Sequence, residues 1–145
     1  GFASVRHDLN NIDLRSTDGI FIKVKGDGRK YQFRIRSQAS RWANYSQEFK
    51  TKKNTVQTFF LPYEDFKPSW RGRNVRNLPT LRGKDVRGIG FLLGDKVQGK
   101  FKLEVLNISA STKKDYKNLI SKSGVLSSQK KTIKDFDPMT INFVQ

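Results

Sequence analysis

The side chains of this chain best suited by type to do chemistry are aromatic and cationic, and they cluster. Trp70, Arg71 and Arg73 lie together in the stretch Phe60-Leu-Pro-Tyr-Glu-Asp-Phe-Lys-Pro-Ser-Trp-Arg-Gly-Arg73. An indole beside two guanidiniums combines apolar area, a stacking face and fixed positive charge, which is the chemistry of a docking surface. Arg76 and Arg82 extend the cationic run. From Lys67 to Arg87 there are seven basic residues against one acid, Asp85. A competing reading uses Tyr63, Phe66 and Trp70 to plug one end of a β-domain and leaves the arginines solvated.

Catalytic chemistry is thinly supplied. His7 is the only histidine and there is no cysteine, so histidine metal clusters, zinc knuckles and thiol catalysis have no ligands or nucleophile. His7 and Asp8 read as a surface pair. Glu64 and Asp65 are adjacent in a turn, a placement that suits capping better than acid–base work across a substrate. Asp27, Asp95 and Glu104 sit in different segments. No enzyme activity, metal or cofactor is expected.

Lysine and arginine total 29 against 13 acidic residues, a net charge of +16. Such a field favours anionic partners: nucleic acid, an anionic membrane surface or an acidic protein. The longest apolar runs, such as Phe91-Leu-Leu93, are far too short to span a bilayer as a helix. The 145 residues suffice for one domain with a real core, and 11 Phe, 4 Tyr and 2 Trp give that core an aromatic character.

The elements that must position these groups read as short strands. Residues 1 to 8 alternate weakly, with Phe2, Ser4 and Arg6 on one side. Ile20, Ile22 and Val24 share a face, as do Tyr31, Phe33 and Ile35, while Lys30, Gln32, Arg34 and Arg36 face the other way. Gly26-Asp27-Gly28 between these two segments has the chemistry of a tight turn and predicts a hairpin. Residues 37 to 44 read as a loop, followed by a strand near Tyr45 to Phe49 and another from Val56 to Leu61, stopped by Pro62. Residues 67 to 87 read as a long irregular basic loop, which in a compact domain tends to be functional. Gly88 to Leu93 is apolar on both faces, as a central strand should be. A turn at 95 to 99 leads to a last strong strand with Phe101, Leu103 and Val105.

After Ile108 the composition turns polar, with a short helical candidate at Lys114 to Ser121 and an apolar end at Phe136, Met139, Ile141, Phe143 and Val144. The division is residues 1–110 as a β-sandwich and 111–145 as a basic polar tail that docks on the domain or on a partner. Many short strands with turn punctuation make the fold class all-β, a sandwich.

Gly1-Phe-Ala-Ser-Val-Arg6, Gly26-Asp27-Gly28 followed by Tyr31, Leu61-Pro62-Tyr63 with Asp65-Phe66, and Arg71-Gly72 resemble, in order and spacing, the complex I intermediate-associated protein 30 family. Ile89-Gly90, Asp95-Lys96 and Gly99 with Phe101 to Val105 continue the resemblance, which covers residues 1 to about 110. Val56 stands where the family usually carries a tryptophan. The resemblance implies a galactose-binding-like jelly-roll sandwich, lacking its first strands here because Gly1 aligns inside the domain. It implies a non-catalytic scaffold or assembly protein of mitochondrial respiratory complex I, acting on the matrix side of the inner membrane.

Its expected partners are complex I subunits or assembly intermediates, met through Trp70, Arg71, Arg73, Arg76 and Arg82 as part of a larger complex. An anionic membrane surface is a further partner of the same charge. RNA binding in an organellar ribonucleoprotein and carbohydrate binding on the sheet face are the alternatives. A sandwich without its leading strands would leave a sheet edge and an apolar strip uncovered. A longer parent chain, a second polypeptide, or the segment Ile141 to Val144 folding back is expected to cover them.

Overall fold

The computed structural model describes residues 4–8, 13–95, 100–121, 131–132 and 139–144, and of these 4–8, 118–121, 131–132 and 139–144 by their backbone alone. The elements in chain order are β1 (Ser4–Asp8), β2 (Gly19–Lys25), β3 (Lys30–Ser37), β4 (Ser40–Lys50), β5 (Val56–Pro62), β6 (Lys67–Trp70), β7 (Arg73–Asn74), β8 (Val86–Leu93), β9 (Lys100–Ser111), α1 (Lys113–Ser121), β10 (Lys131–Thr132) and β11 (Met139–Val144). Single 3-10 turns occupy Tyr63–Asp65 and Gly83–Asp85.

Two antiparallel sheets face each other. One runs β1-β8-β3-β4-β6-β7; in the other, β9 carries β10 and β11 on one side and β2 on the other, with β5 beyond β2. Alternation supplies the core. Ile20, Ile22 and Val24 of β2 and Leu103 and Val105 of β9 meet Tyr31, Phe33 and Ile35 of β3 in one buried cluster. Tyr31 packs edge-on to Phe101 across the sheets, and Phe49 of β4 meets Phe59 of β5. The fold is an all-β sandwich, as the short alternating strands require.

The turn at Asp27 differs from its sequence expectation. β2 and β3 do not form a hairpin: β2 pairs with β5 on one edge and β9 on the other, while β3 pairs with β4 and β8. With both edges of β2 occupied, β3 has no edge to join, and Gly26 to Arg29 carries the chain from one sheet to the other. The corner is filled by Thr51. A Cβ at Gly26 would stand 2.1 Å from the Thr51 Cβ. The Thr51 hydroxyl accepts from the Gly28 N–H and donates to the Arg29 carbonyl. Gly28 takes φ +92°, a region L side chains rarely adopt.

Two loops are also shorter than the sequence suggests. Residues 40 to 44 belong to β4, whose 11 residues return directly against β3 through a turn at Gln38 and Ala39. The 67–87 stretch is not one loop, because β6 and β7 form a small hairpin within it. The helix begins at Lys113, capped by the Thr112 hydroxyl, which accepts from the Asp115 N–H at 3.2 Å. Its Tyr116 stacks on Phe60 and lies near Phe21, covering the outer face of β2 and β5.

The strand expected at the start is β1, which pairs with β8. Phe2, Phe136 and residues 96–99 of the expected turn lie outside the described residues, as do the side chains of His7 and Asp8. β11 runs antiparallel along β9, from Met139 opposite Val105 to Val144 opposite Lys100.

Candidate functional site

The β6–β7 hairpin turns through Arg71 and Gly72, with φ of 49° and 79°. Two consecutive positive φ angles mark a type I′ turn, the two-residue connection whose twist suits antiparallel strands. Arginine at the first of these positions is conformationally costly, since a Cβ crowds the backbone there. β6 is registered on β4 through Asn44 opposite Ser69, Tyr45 opposite Pro68 and Ser46 opposite Lys67.

Just past the end of that ladder, Trp70 meets Trp42. Their ring centroids are 6.3 Å apart and their planes 81° apart, an edge-to-face pair. The Arg71 guanidinium lies over the Trp70 ring, 4.7 Å from its centroid. Trp42 is 54% exposed and Trp70 44%, so neither ring is core. Tyr63 and Phe66, by contrast, are buried. The end-plug reading therefore holds for those two and fails for Trp70.

Arg73 stands opposite Trp70 on β7, and Arg76 is exposed two residues beyond the hairpin. Neither Arg71 nor Arg73 has an acidic partner among the described residues. Trp42 completes this group and is absent from the sequence-based site. Its one signal is a large aromatic placed between Arg41 and Asn44 in a polar setting.

Arg82 lies elsewhere. The Tyr45 hydroxyl donates to the Pro79 carbonyl at 2.7 Å and Leu81 is buried, so the chain is fixed to the end of the sandwich before Arg82 emerges. Arg82 lines a cleft of about 460 Å³ together with Arg15, Lys84 and Lys113, with none of the hairpin residues on its walls. Its floor is Tyr63 and Thr17. The Thr17 hydroxyl spends its hydrogen on the Leu14 carbonyl at 2.6 Å, so the Tyr63 hydroxyl is the donor in their 2.7 Å bond.

Burial pushes Tyr63 up to about 12. A tyrosine whose folded pKa exceeds its unfolded value contributes stability that is full below pH ~10 and is lost as pH rises from there toward the folded pKa. Tyr31 is raised further, first by burial and then by its hydrogen bond to Asp27. Stability is therefore expected to stay flat from neutrality to the ordinary tyrosine range and to fall steeply above it. In Tyr63→Phe the alkaline limb of a urea-midpoint series should be shallower. An unchanged limb would remove Tyr63 from the account.

Gly83 anchors the wall that carries Arg82 and Lys84. A Cβ there would stand 2.1 Å from the Leu14 carbonyl oxygen and 3.1 Å from the Tyr63 ring. Gly83→Ala is expected to cost about 2 kcal/mol of stability by overpacking, read from chemical denaturation. A loss below about 0.5 kcal/mol would mean that the Leu14 segment yields freely.

The acids that the sequence scatters are partly gathered, and each is occupied. Asp27 accepts from the Arg29 N–H, the Tyr31 hydroxyl and the Lys102 N–H at 3.1, 2.9 and 2.7 Å. Asp95 accepts two bonds from the Arg29 guanidinium, at 2.8 and 2.6 Å. The same guanidinium donates to the Lys100 carbonyl and lies 5.8 Å from the centre of the Phe101 ring. Glu104 pairs with Lys102 at 3.1 Å. This is a clamp between the Asp27 corner and the start of β9. Among the described residues no group of three or more His, Cys, Asp or Glu could hold a metal ion, and no helix is long and apolar enough to cross a membrane.

The architecture is thus a two-sheet antiparallel sandwich domain with an exposed aromatic and cationic edge. The family model for complex I intermediate-associated protein 30 matches residues 1–105, and the chain belongs to that family. None of the curated proteins compared with it matches.

Proposed function

We propose that this protein is a non-catalytic scaffold in the assembly of mitochondrial respiratory complex I, docking an acidic surface of a subunit or assembly intermediate through the β6–β7 hairpin. Family membership implies a role connected with complex I assembly and with the mitochondrion. The matrix side of the inner membrane is the location that fits a partner of this kind. The observation that carries the docking reading is the Trp42–Trp70 pair with Arg71 stacked on it, held in solvent at a sheet edge. Exposed tryptophan and arginine are the side chains from which binding hot spots are most often built. The guanidiniums of Arg71 and Arg73, which have no acidic partner among the described residues, supply the complement to carboxylates.

Charge reversal in R71E/R73E is expected to abolish co-purification with complex I intermediates while leaving the melting temperature unchanged. Trp70→Ala should weaken the same association by about 2 kcal/mol, roughly thirtyfold. Co-purification that survives both changes would sink the hairpin as the docking site. Capture of RNA instead, with a steep loss of affinity as salt rises, would replace the protein partner by a nucleic acid.

The turn geometry allows a cleaner separation. Arg71→Asn creates Asn-Gly, the preferred type I′ pair, so relief of backbone strain offsets the lost cation–π contact. Stability should stay within about 0.5 kcal/mol of the parent, while binding falls. A variant that loses stability as well would show that Arg71 holds the hairpin together instead of serving a partner.

A further inference from the structure

The cleft beside Gly83 is remote in its lining from the hairpin and has an asymmetric charge distribution. Two acids and four cations stand on its rim: Asp18 and Glu64 against Arg15, Arg82, Lys84 and Lys113. Both acids are engaged by Lys113, Glu64 as an ion pair and Asp18 through a backbone bond that leaves its charge in place. The Asp18 carboxylate accepts from the Lys113 N–H at 2.9 Å, and Glu64 is bonded to the Lys113 ammonium. Arg82 and Lys84 have no acidic partner among the described residues. Arg15 pairs with the well-exposed Asp13, at 3.6 Å, a contact of little energetic weight.

The cationic wall is also held in place. Gly83 is pressed against the Leu14 carbonyl and the Tyr63 ring, and residues 83 to 85 form a 3-10 turn closed by the Asp85 N–H on the Arg82 carbonyl. Arg82 and Lys84 flank this buried glycine and are both exposed. Two cationic side chains rooted on either side of a pinned backbone line one small volume.

We propose that this cleft binds a phosphate monoester. A carboxylate has one charge and satisfies one of the two cations, whereas a phosphate monoester carries close to two charges and three acceptor oxygens. Arginine supplies the planar fork and lysine the point charge that phosphate groups take. The volume of about 460 Å³ leaves room for a small organic group beside the phosphate. Buried Leu81 and the Tyr63 ring supply an apolar surface for it. The ligand's phosphate has two possible sources, a soluble phosphomonoester or the headgroup of a phosphatidate-type lipid, and both present the same chemistry to Arg82 and Lys84.

The test uses the full chain at physiological ionic strength, where diffuse surface attraction is largely screened. Glycerol 3-phosphate is titrated and read by amide chemical shifts and calorimetry, with acetate as the carboxylate control. Vesicles of phosphatidylcholine with and without phosphatidate are read by co-sedimentation. Saturable binding of glycerol 3-phosphate, or retention on phosphatidate vesicles alone, is expected, and which of the two occurs identifies the source. R82Q/K84Q should weaken that binding about tenfold or more. R71Q/R73Q, which removes the same charge at the hairpin, should leave it within about twofold. Equal losses in the two double variants would reduce the cleft to part of a general positive field and overturn the proposal. So would acetate binding as tightly as the phosphomonoester, or no saturable binding of either phosphate probe.

Discussion

Replacing Asp27 by alanine is expected to cost about 3 kcal/mol of folding stability. The Asp27 carboxylate accepts three hydrogen bonds that join three pieces of chain: the corner itself through Arg29, the core through the Tyr31 hydroxyl, and β9 through Lys102. Removing it strands the hydroxyl of a residue that is 1% exposed, and an unsatisfied buried donor is costlier than the bond it lost. The neighbouring Arg29–Asp95 pair has side chains only 14% and 19% exposed, so water cannot readily take over either role. The urea midpoint should fall with little change in slope. Asp27→Asn keeps the volume and one acceptor oxygen and should cost about half as much. A loss below about 1 kcal/mol for Asp27→Ala would mean that the corner is held by Thr51 and by backbone packing alone.

The same corner shows where sequence reasoning reaches and where it stops. Alternation in Ile20 to Val24 and Tyr31 to Ile35 is a local property of each strand, and it places both faces correctly. The partner of a strand is not local. Gly-Asp-Gly supplies the backbone freedom for a hairpin and for a crossing between sheets alike, and only the occupied edges of β2 decide between them. Much of what makes the chain resemble its family sits in this clamp: Asp27, Tyr31, Asp95 and Phe101 all contact or surround Arg29. Those residues are legible as a pattern because the sandwich needs them, and they speak to fold more than to partner.

The candidate site was legible in half. Trp70, Arg71 and Arg73 adjoin in sequence and adjoin in space. Trp42 joins them where β4 and β6 lie side by side, a long-range fact to which its polar setting in sequence is the one clue. Arg82 belongs to the same run of positive charge as Arg71, yet the buried Leu81 and pinned Gly83 set it on another part of the surface. Charge counts along the chain group residues by sequence distance, whereas partners meet them by surface position. The hairpin and the cleft are therefore separable by mutation: substitutions at Arg71 should spare phosphate binding, and substitutions at Arg82 should spare association with the assembly intermediate.

Removing residues 139–145 is expected to make the protein associate with itself more strongly than the parent does. β11 lies antiparallel on β9, with Met139, Ile141 and Phe143 at the register positions opposite Val105, Leu103 and Phe101. Directly paired residues of an antiparallel ladder share a face, and Phe101, Leu103 and Val105 are at most 3% exposed in the core. Loss of β11 therefore removes a strand that carries three apolar residues at those register positions. It also opens the start of β9 as an edge with unpaired N–H and C=O groups, a template for pairing with a second copy. With the ladder along β9 lost, a net cost of about 3 kcal/mol, or roughly 10 °C in melting temperature, is expected. Light scattering should show mass rising with concentration. Ile141→Asp isolates the cause, because it keeps the chain length and the backbone ladder while setting a charge opposite Leu103. It should reproduce most of the stability loss with less self-association, since the edge stays paired. A truncated chain that remains monomeric and melts where the parent does would mean that β11 is dispensable to the sandwich, and that β9 tolerates an open edge.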